Sequence, residues 1–169
     1  MRTKSMQQAK VEFFFDLGSP YSYLASTQLE CFERKNNIAF EWRPILLGGL
    51  FKAVDNQSPF YVASKGKKDY LLNDLQTWAS LYDVPFKLPS HFPPNTLKAM
   101  RGAIAAHRTG QLKLYANAMF NAFFVDDRNI SEANTILEIV KEIGMDVTEF
   151  SLAIDNLDVK QALISATEE

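Results

Sequence analysis

The sequence predicts an α/β chain in which one β-α-β unit opens into a long helical block, and three observations carry that reading. The run "VEFFFD" (11–16) is short, aromatic and β-branched and stops at Gly18, the pattern of a buried strand. Beyond the break Gly18-Ser19-Pro20, Leu24, Leu29 and Phe32 recur at roughly helical spacing. The stretch "IAFEWRPIL" (38–46) then sets Ile38, Phe40 and Trp42 against Ala39, Glu41 and Arg43 in alternation, which defines a second strand. Two strands joined through a helix imply a parallel pair with a right-handed crossover.

Each element has a local cause. Pro20 suits the first helical position, because its missing N–H would have no intrahelical partner there, and Ser19 suits the N-cap. Pro44 ends the second strand or leaves it at an edge. From about residue 67 only helical periodicity remains. "KKDYLLNDLQTWASLYD" (67–83) puts Leu71, Leu75 and Trp78 on one face. "VPFKLPSHFPP" (84–94) is a Pro-rich connection, after which Asn95 caps a helix that Gly110 closes. Helices over 111–125, 132–143 and 148–155 follow, with Ser131 as a cap and Gly144 as a stop, and "NLDVKQALISATEE" (156–169) makes the last.

Composition narrows the function. With 47% hydrophobic and 22% charged residues, the chain is an ordinary globular one with a sizeable core. Eighteen basic against 20 acidic residues leave a net charge of -2, so no strong field points at nucleic acid or an anionic membrane, and small weakly charged partners are favoured. No apolar run is long enough to span a bilayer, and the N-terminus lacks the apolar core of a signal peptide. The single cysteine, Cys31, excludes an internal disulfide framework and a C-x-x-C pair. Together these predict a cytoplasmic protein. His91 and His107 have no second histidine or cysteine at ligand spacing, so no metal site is expected.

The seam at Ser19 is where chemistry is expected. A helix N-terminus presents unpaired N–H groups and the positive end of the helix dipole, an environment that favours an anion or a thiolate. A serine hydroxyl there can donate to sulfur, and the same environment lowers the pKa of a thiol. Thioredoxin-like proteins place C-x-x-C at this position. Here it reads Ser19-Pro20-Tyr21-Ser22, so an external thiol would have to supply the sulfur. The plainer reading is that Ser-Pro simply caps a helix.

Four landmarks in order, "FDLGSPYSYLA", "WRPILLGGLFK", "KKDYLLNDLQTWASLYDVP" and "FPPNTLKAMR", resemble the 2-hydroxychromene-2-carboxylate isomerases and the related kappa-class glutathione transferases, on a DsbA-like thioredoxin fold. Residues 1–10, "MRTKSMQQAK", read as a flexible lead-in, and the resemblance implies one domain (11–169): a thioredoxin β-α-β part (11–50), a large helical insertion (51–155) and a helix returning to the thioredoxin part (156–169). It implies glutathione as cofactor, with Ser19 as the catalytic hydroxyl on its sulfur, and Asn56 and Lys67 holding its backbone; Lys65 or Lys68 can substitute for Lys67. On the substrate side it implies a small aromatic compound contacted by Tyr21, Tyr23, Phe92, Asn95 and Arg101, and a homodimer. Each has a plainer reading: a solvated lysine loop at 65–68, a helix cap at Asn95, an ion-pair residue at Arg101, core aromatics at Tyr21, Tyr23 and Phe92.

In that family the fold continues past the helix resembling 156–169 into a cis-proline segment, further strands and a final helix. The sequence departs from this by stopping at Glu169, where Glu168, Glu169 and the terminal carboxylate crowd the negative end of the helix dipole. The C-terminal strands and last helix of the fold are therefore expected to be absent, and a sheet of two strands must lean on the helical block or on a second copy. The function implied is a glutathione-dependent isomerase interconverting 2-hydroxychromene-2-carboxylate and trans-o-hydroxybenzylidenepyruvate type compounds in aromatic degradation. A kappa-like glutathione transferase is the nearest alternative. A non-catalytic thioredoxin-like remnant or interaction module is the alternative of another class.

Overall fold

A computed structural model describes residues 8–169, so the expected lead-in lies outside the described residues up to residue 7. Strand β1 (Ala9–Phe15) pairs in parallel with β2 (Ile38–Pro44), in register from Ala9 opposite Ile38 to Phe15 opposite Pro44. Residues 9 and 10, placed in the lead-in from sequence, thus belong to the first strand. Helix α1 (Pro20–Asn36) makes the crossover: Ser19 stands at its N-cap, and Asn37 closes it in the left-handed region at φ 51°. Pro44 is the last residue of β2, as a residue without an N–H to give the ladder should be.

Between β2 and the next long helix the sequence carries no periodicity that predicts an element. The chain forms α2 (Leu47–Ala53) and the single turn α3 (Pro59–Val62) before α4 (Lys65–Tyr82). The helical block then runs through α5 (Leu97–Arg108), α6 (Leu112–Phe124), α7 (Ala133–Glu142), α8 (Val147–Asp155) and α9 (Leu157–Glu168). Gly110 and Gly144 turn the chain at φ 73° and 77°, which a residue without Cβ does at no steric cost. The N-cap of α5 is Thr96, one residue after the expected Asn95, and Asn95 Oδ1 accepts the Leu97 N–H from just outside the helix. Ser131 does not cap α7: the N-cap is Glu132, and Ser131 Oγ instead accepts the Asn95 N–H at 3.0 Å.

The core lies between the inner face of the sheet and the helical block. Phe13 and Phe15 meet Trp42 edge-on at 5.1 and 5.3 Å, and Phe15 continues to Phe120 of α6 at 6.0 Å. Helix α5 is the hub, touching α6, α8, α9 and β2. Its Ala99, Ala103 and Ala106 are wholly buried, and small side chains let its neighbours approach closely.

β1 is not the buried strand that its apolar run predicts. Val11 and Phe14 are exposed and only Phe15 is buried. Among the described residues the sheet has two strands, so β1 has a ladder partner on one side only. Phe14 gains partial cover from the Arg43 guanidinium, 5.7 Å from its ring centre. Arg43 in turn pairs with Glu12 at 2.7 Å and with Glu169. Phe32 and Trp78, placed on buried faces by their spacing, are also exposed. No helix of the described chain is long and apolar enough to cross a membrane.

Candidate functional site

The loop from β1 into α1 forms one wall of a cavity of about 690 Å³. It is a tight turn, with the Ser19 N–H donating to the Asp16 carbonyl at 2.9 Å. Ser19 Oγ accepts the Ser22 N–H at 3.2 Å, which leaves the serine's own hydrogen free to be donated to a ligand. Pro20 brings no N–H, and the Tyr21 N–H belongs to the first turn, which has no carbonyl to receive it. The α1 N-terminus therefore offers a hydroxyl, a backbone N–H and the positive end of a 17-residue helix to the same cavity.

Asp16 holds the three walls together. Its Oδ1 accepts the Gly18 N–H at 2.8 Å, while Oδ2 accepts the Leu47 N–H at 2.8 Å and the Thr96 hydroxyl at 3.1 Å. This accounts for two helix starts that lack a side-chain cap of their own: α2 behind Leu46, and α5 behind Thr96, whose hydroxyl is already given to Asp16. The carboxyl is 4% exposed. Burial pushes its pKa up, against the hydrogen bonds from Gly18, Leu47 and Thr96 that pull it down. Gly18 is required by the same packing: a Cβ there would stand 2.9 Å from both Pro94 Cγ and Thr96 Cγ2.

The remaining walls are aromatic and proline-rich. Phe51 comes from α2, Phe60 and Tyr61 from α3, and Phe92, Pro93 and Pro94 from the connection before α5. Phe60 and Phe92 meet edge-to-face at 4.8 Å. Tyr21 lines the cavity with its hydroxyl donated to Asp74 at 2.9 Å; burial first, and then that carboxylate, push its pKa up to about 12. Asn56 lines the opposite side, where its Oδ1 accepts the Gln57 N–H and its side-chain N–H groups have no partner among the described residues. Lys52 supplies the positive charge of the lining.

The residues singled out from sequence separate accordingly. Ser19, Tyr21, Asn56 and Phe92 converge on one cavity. Lys67 does not line it: it lies in the first turn of α4, its N–H reaching Ser64 Oγ at 3.4 Å, and Lys65 is paired with Asp69. Tyr23 belongs to the core, stacked on Phe124 at 5.2 Å with its hydroxyl donated to the Pro85 carbonyl at 2.6 Å. Asn95 is exposed and spent on the start of α5. Arg101 lies one turn further along α5, outside the lining, with a buried Nε that has no partner among the described residues. Asp16, Lys52, Phe60 and Thr96 belong to the site although the sequence does not single them out. Asp16 alone had a signal, a charge ending an aromatic strand.

A two-stranded parallel unit bridged by a helix whose N-terminus faces a cavity, with a helical block inserted after it, defines the thioredoxin class in its mostly helical form. Residues 10–169 match the DSBA-like thioredoxin domain, and the chain belongs to that family. It is 30% identical over 142 residues to a glutathione S-transferase kappa 1 of Rattus norvegicus, covering 80% of this chain and 62% of that protein. It is 34% identical over 112 residues to a 2-hydroxychromene-2-carboxylate isomerase of Pseudomonas putida, covering 66% of this chain and 54% of the relative. The chain thus spans between about half and three fifths of the length of these relatives. Among solved structures, a 2-hydroxychromene-2-carboxylate isomerase superposes with a TM-score of 0.82 at 26% identity, over 94% of this chain and 77% of the other.

Proposed function

We propose that the protein is a glutathione-dependent isomerase acting on compounds of the 2-hydroxychromene-2-carboxylate type, with Ser19 as the hydroxyl that holds the thiolate. The observation that carries this is the serine at the N-cap of α1, its hydrogen without an acceptor among the described residues, in a cavity whose described lining contains no sulfur. Its similarity to isomerases and kappa transferases supports the reading.

The residues present fit glutathione. The cavity is of the size that small ligands occupy, the α1 N-terminus and Ser19 suit a sulfur anion, and the Asn56 amide and the Lys52 ammonium suit peptide and carboxylate groups. Lys52 takes the role that the resemblance implies for Lys67. When bound, glutathione supplies a nucleophilic thiolate that adds reversibly to a conjugated double bond and so frees it to rotate. The protein's part is to position and desolvate. Ser19 donates its hydroxyl hydrogen to the sulfur, Phe51, Phe60 and Phe92 hold a planar apolar partner beside it, and Pro93 and Pro94 keep that wall free of competing N–H donors.

The test is turnover with reduced glutathione. An isomerase returns glutathione unconsumed and loses most of its rate on Ser19→Ala; a rate that the substitution leaves unchanged contradicts the role. The similarity to the rat kappa enzyme supports a transferase reading in the same site, and that reading predicts a conjugate accumulating in proportion to glutathione consumed.

A further inference from the structure

We infer that Asp16 receives the proton that a thiol gives up on binding at the α1 N-terminus, so that the site ionises its ligand without passing a proton to solvent. This rests on the glutathione reading above and adds to it a proton acceptor.

Placement comes first. Asp16 stands three residues before Ser19 in the turn that the Ser19 N–H closes onto the Asp16 carbonyl, and both residues line the same cavity. The carboxyl is otherwise shut from water, at 4% exposure.

Its partners tolerate either protonation state. The Gly18 and Leu47 N–H groups are fixed donors, one on each carboxyl oxygen, but the third partner is a hydroxyl. Thr96 donates to the carboxylate and, by rotating about its C–O bond, accepts from the carboxylic acid. A proton arriving at Oδ2 therefore finds an acceptor in the Thr96 oxygen, whereas a third fixed N–H at that place would oppose it.

Electrostatics then sets the direction of transfer. An ionised Asp16 and a thiolate in one partly enclosed cavity repel each other, and repulsion between like charges raises the affinity of one for a proton. Burial raises Asp16 in the same sense. The S–H bond breaks with its electron pair staying on sulfur, the O–H bond forms at Oδ2, and the total charge of the cavity is unchanged. The other ionisable side chains of the lining are placed differently. Tyr21 of α1 has its hydroxyl committed to Asp74. Lys52 and Asp55 at the end of α2, and Tyr61 of α3, are exposed to water. The wall from 92 to 96 carries no ionisable side chain.

The experiment counts protons. Reduced glutathione is titrated into the protein by calorimetry at neutral pH, below the ordinary thiol range, in two buffers of different ionisation enthalpy; the dependence of the heat on buffer gives the protons released. S-methylglutathione, which has no thiol proton, supplies the background. The wild type should release close to none, and Asp16→Asn about one per site. If Asp16→Asn fails to fold, Thr96→Val keeps the carboxyl but removes the acceptor for its O–H, and release should rise above the wild-type value. Release of about one proton by the wild type, or variants indistinguishable from it, overturns the inference alone. Folded wild type that shows no saturable binding of glutathione overturns both this inference and the glutathione reading.

Discussion

Gly102 separates helix propensity from packing more sharply than any other position in the chain. In an isolated helix Gly→Ala is stabilising by about 1 kcal/mol. In α5 a Cβ at Gly102 would stand 2.3 Å from Tyr115 Oη and 2.6 Å from Phe150 Cζ, where α6 and α8 close on the helix. Tyr115 is wholly buried, and its hydroxyl donates to the Ala99 carbonyl at 2.9 Å. To admit the methyl the ring must move. Overpacking a core costs about 1–3 kcal/mol, and a displaced phenol that loses its only acceptor costs roughly another 1–3 kcal/mol. After the gain in propensity, Gly102→Ala should be less stable by on the order of 3 kcal/mol, which lowers Tm by roughly 6–12 °C in a chain of this size. Urea unfolding should show the midpoint falling while the slope stays constant. Gly48→Ala in α2, where an added Cβ meets nothing within 4 Å, should be neutral or stabilising in the same assay. A Gly102→Ala protein as stable as the wild type would refute the packing described around α5.

Gly18→Ala drives a methyl against Pro94 and Thr96; it should cost about 1–2 kcal/mol and weaken glutathione binding several-fold, read by thermal melting and calorimetry together. Tyr23→Phe removes the bond to the Pro85 carbonyl, so it should cost about 1 kcal/mol in urea unfolding while glutathione affinity stays as it was, because the ring belongs to the core and not to the cavity. Asp127 accepts from the Ser90 N–H and from Lys87, and these hold its pKa below the usual carboxylate range. Its contribution to stability is therefore present above that range and lost as pH falls through the depressed value. In acid unfolding profiles, Asp127→Asn should be less stable than the wild type at neutral pH and converge on it at low pH; a difference that persists unchanged in acid would contradict this.

Much of the β-α-β unit was legible because its signals are local. Ser19-Pro20 marks a helix start by capping chemistry, Pro44 marks a strand end by its missing donor, and Gly110 and Gly144 mark turns by their freedom at positive φ. What was not legible depends on neighbours distant in the chain. "VEFFFD" announces a strand but not how many of its sides are covered, so β1 reads as buried although it has one ladder partner. Phe32 and Trp78 satisfy helical spacing on faces that nothing covers. α2 and α3 are too short to show periodicity, and with them went Phe51, Lys52 and Phe60 of the cavity wall. The site divides in the same way. Ser19 could be read from its own turn, but Thr96 acquires its role only because the fold brings it to Asp16, and Tyr23 loses its expected role because Phe86, Phe120 and Phe124 close around it.

The central claim is that Ser19 and the α1 N-terminus hold the thiolate of glutathione, and calorimetric titration with reduced glutathione tests it most directly. The account predicts saturable binding by the wild type that weakens by roughly tenfold to a hundredfold in Ser19→Ala, the loss of one hydrogen bond to a charged group. S-methylglutathione should bind the two proteins alike, since it has no thiolate for the serine to hold. Equal affinity of wild type and Ser19→Ala for reduced glutathione, or no binding to the folded wild type, would contradict the claim.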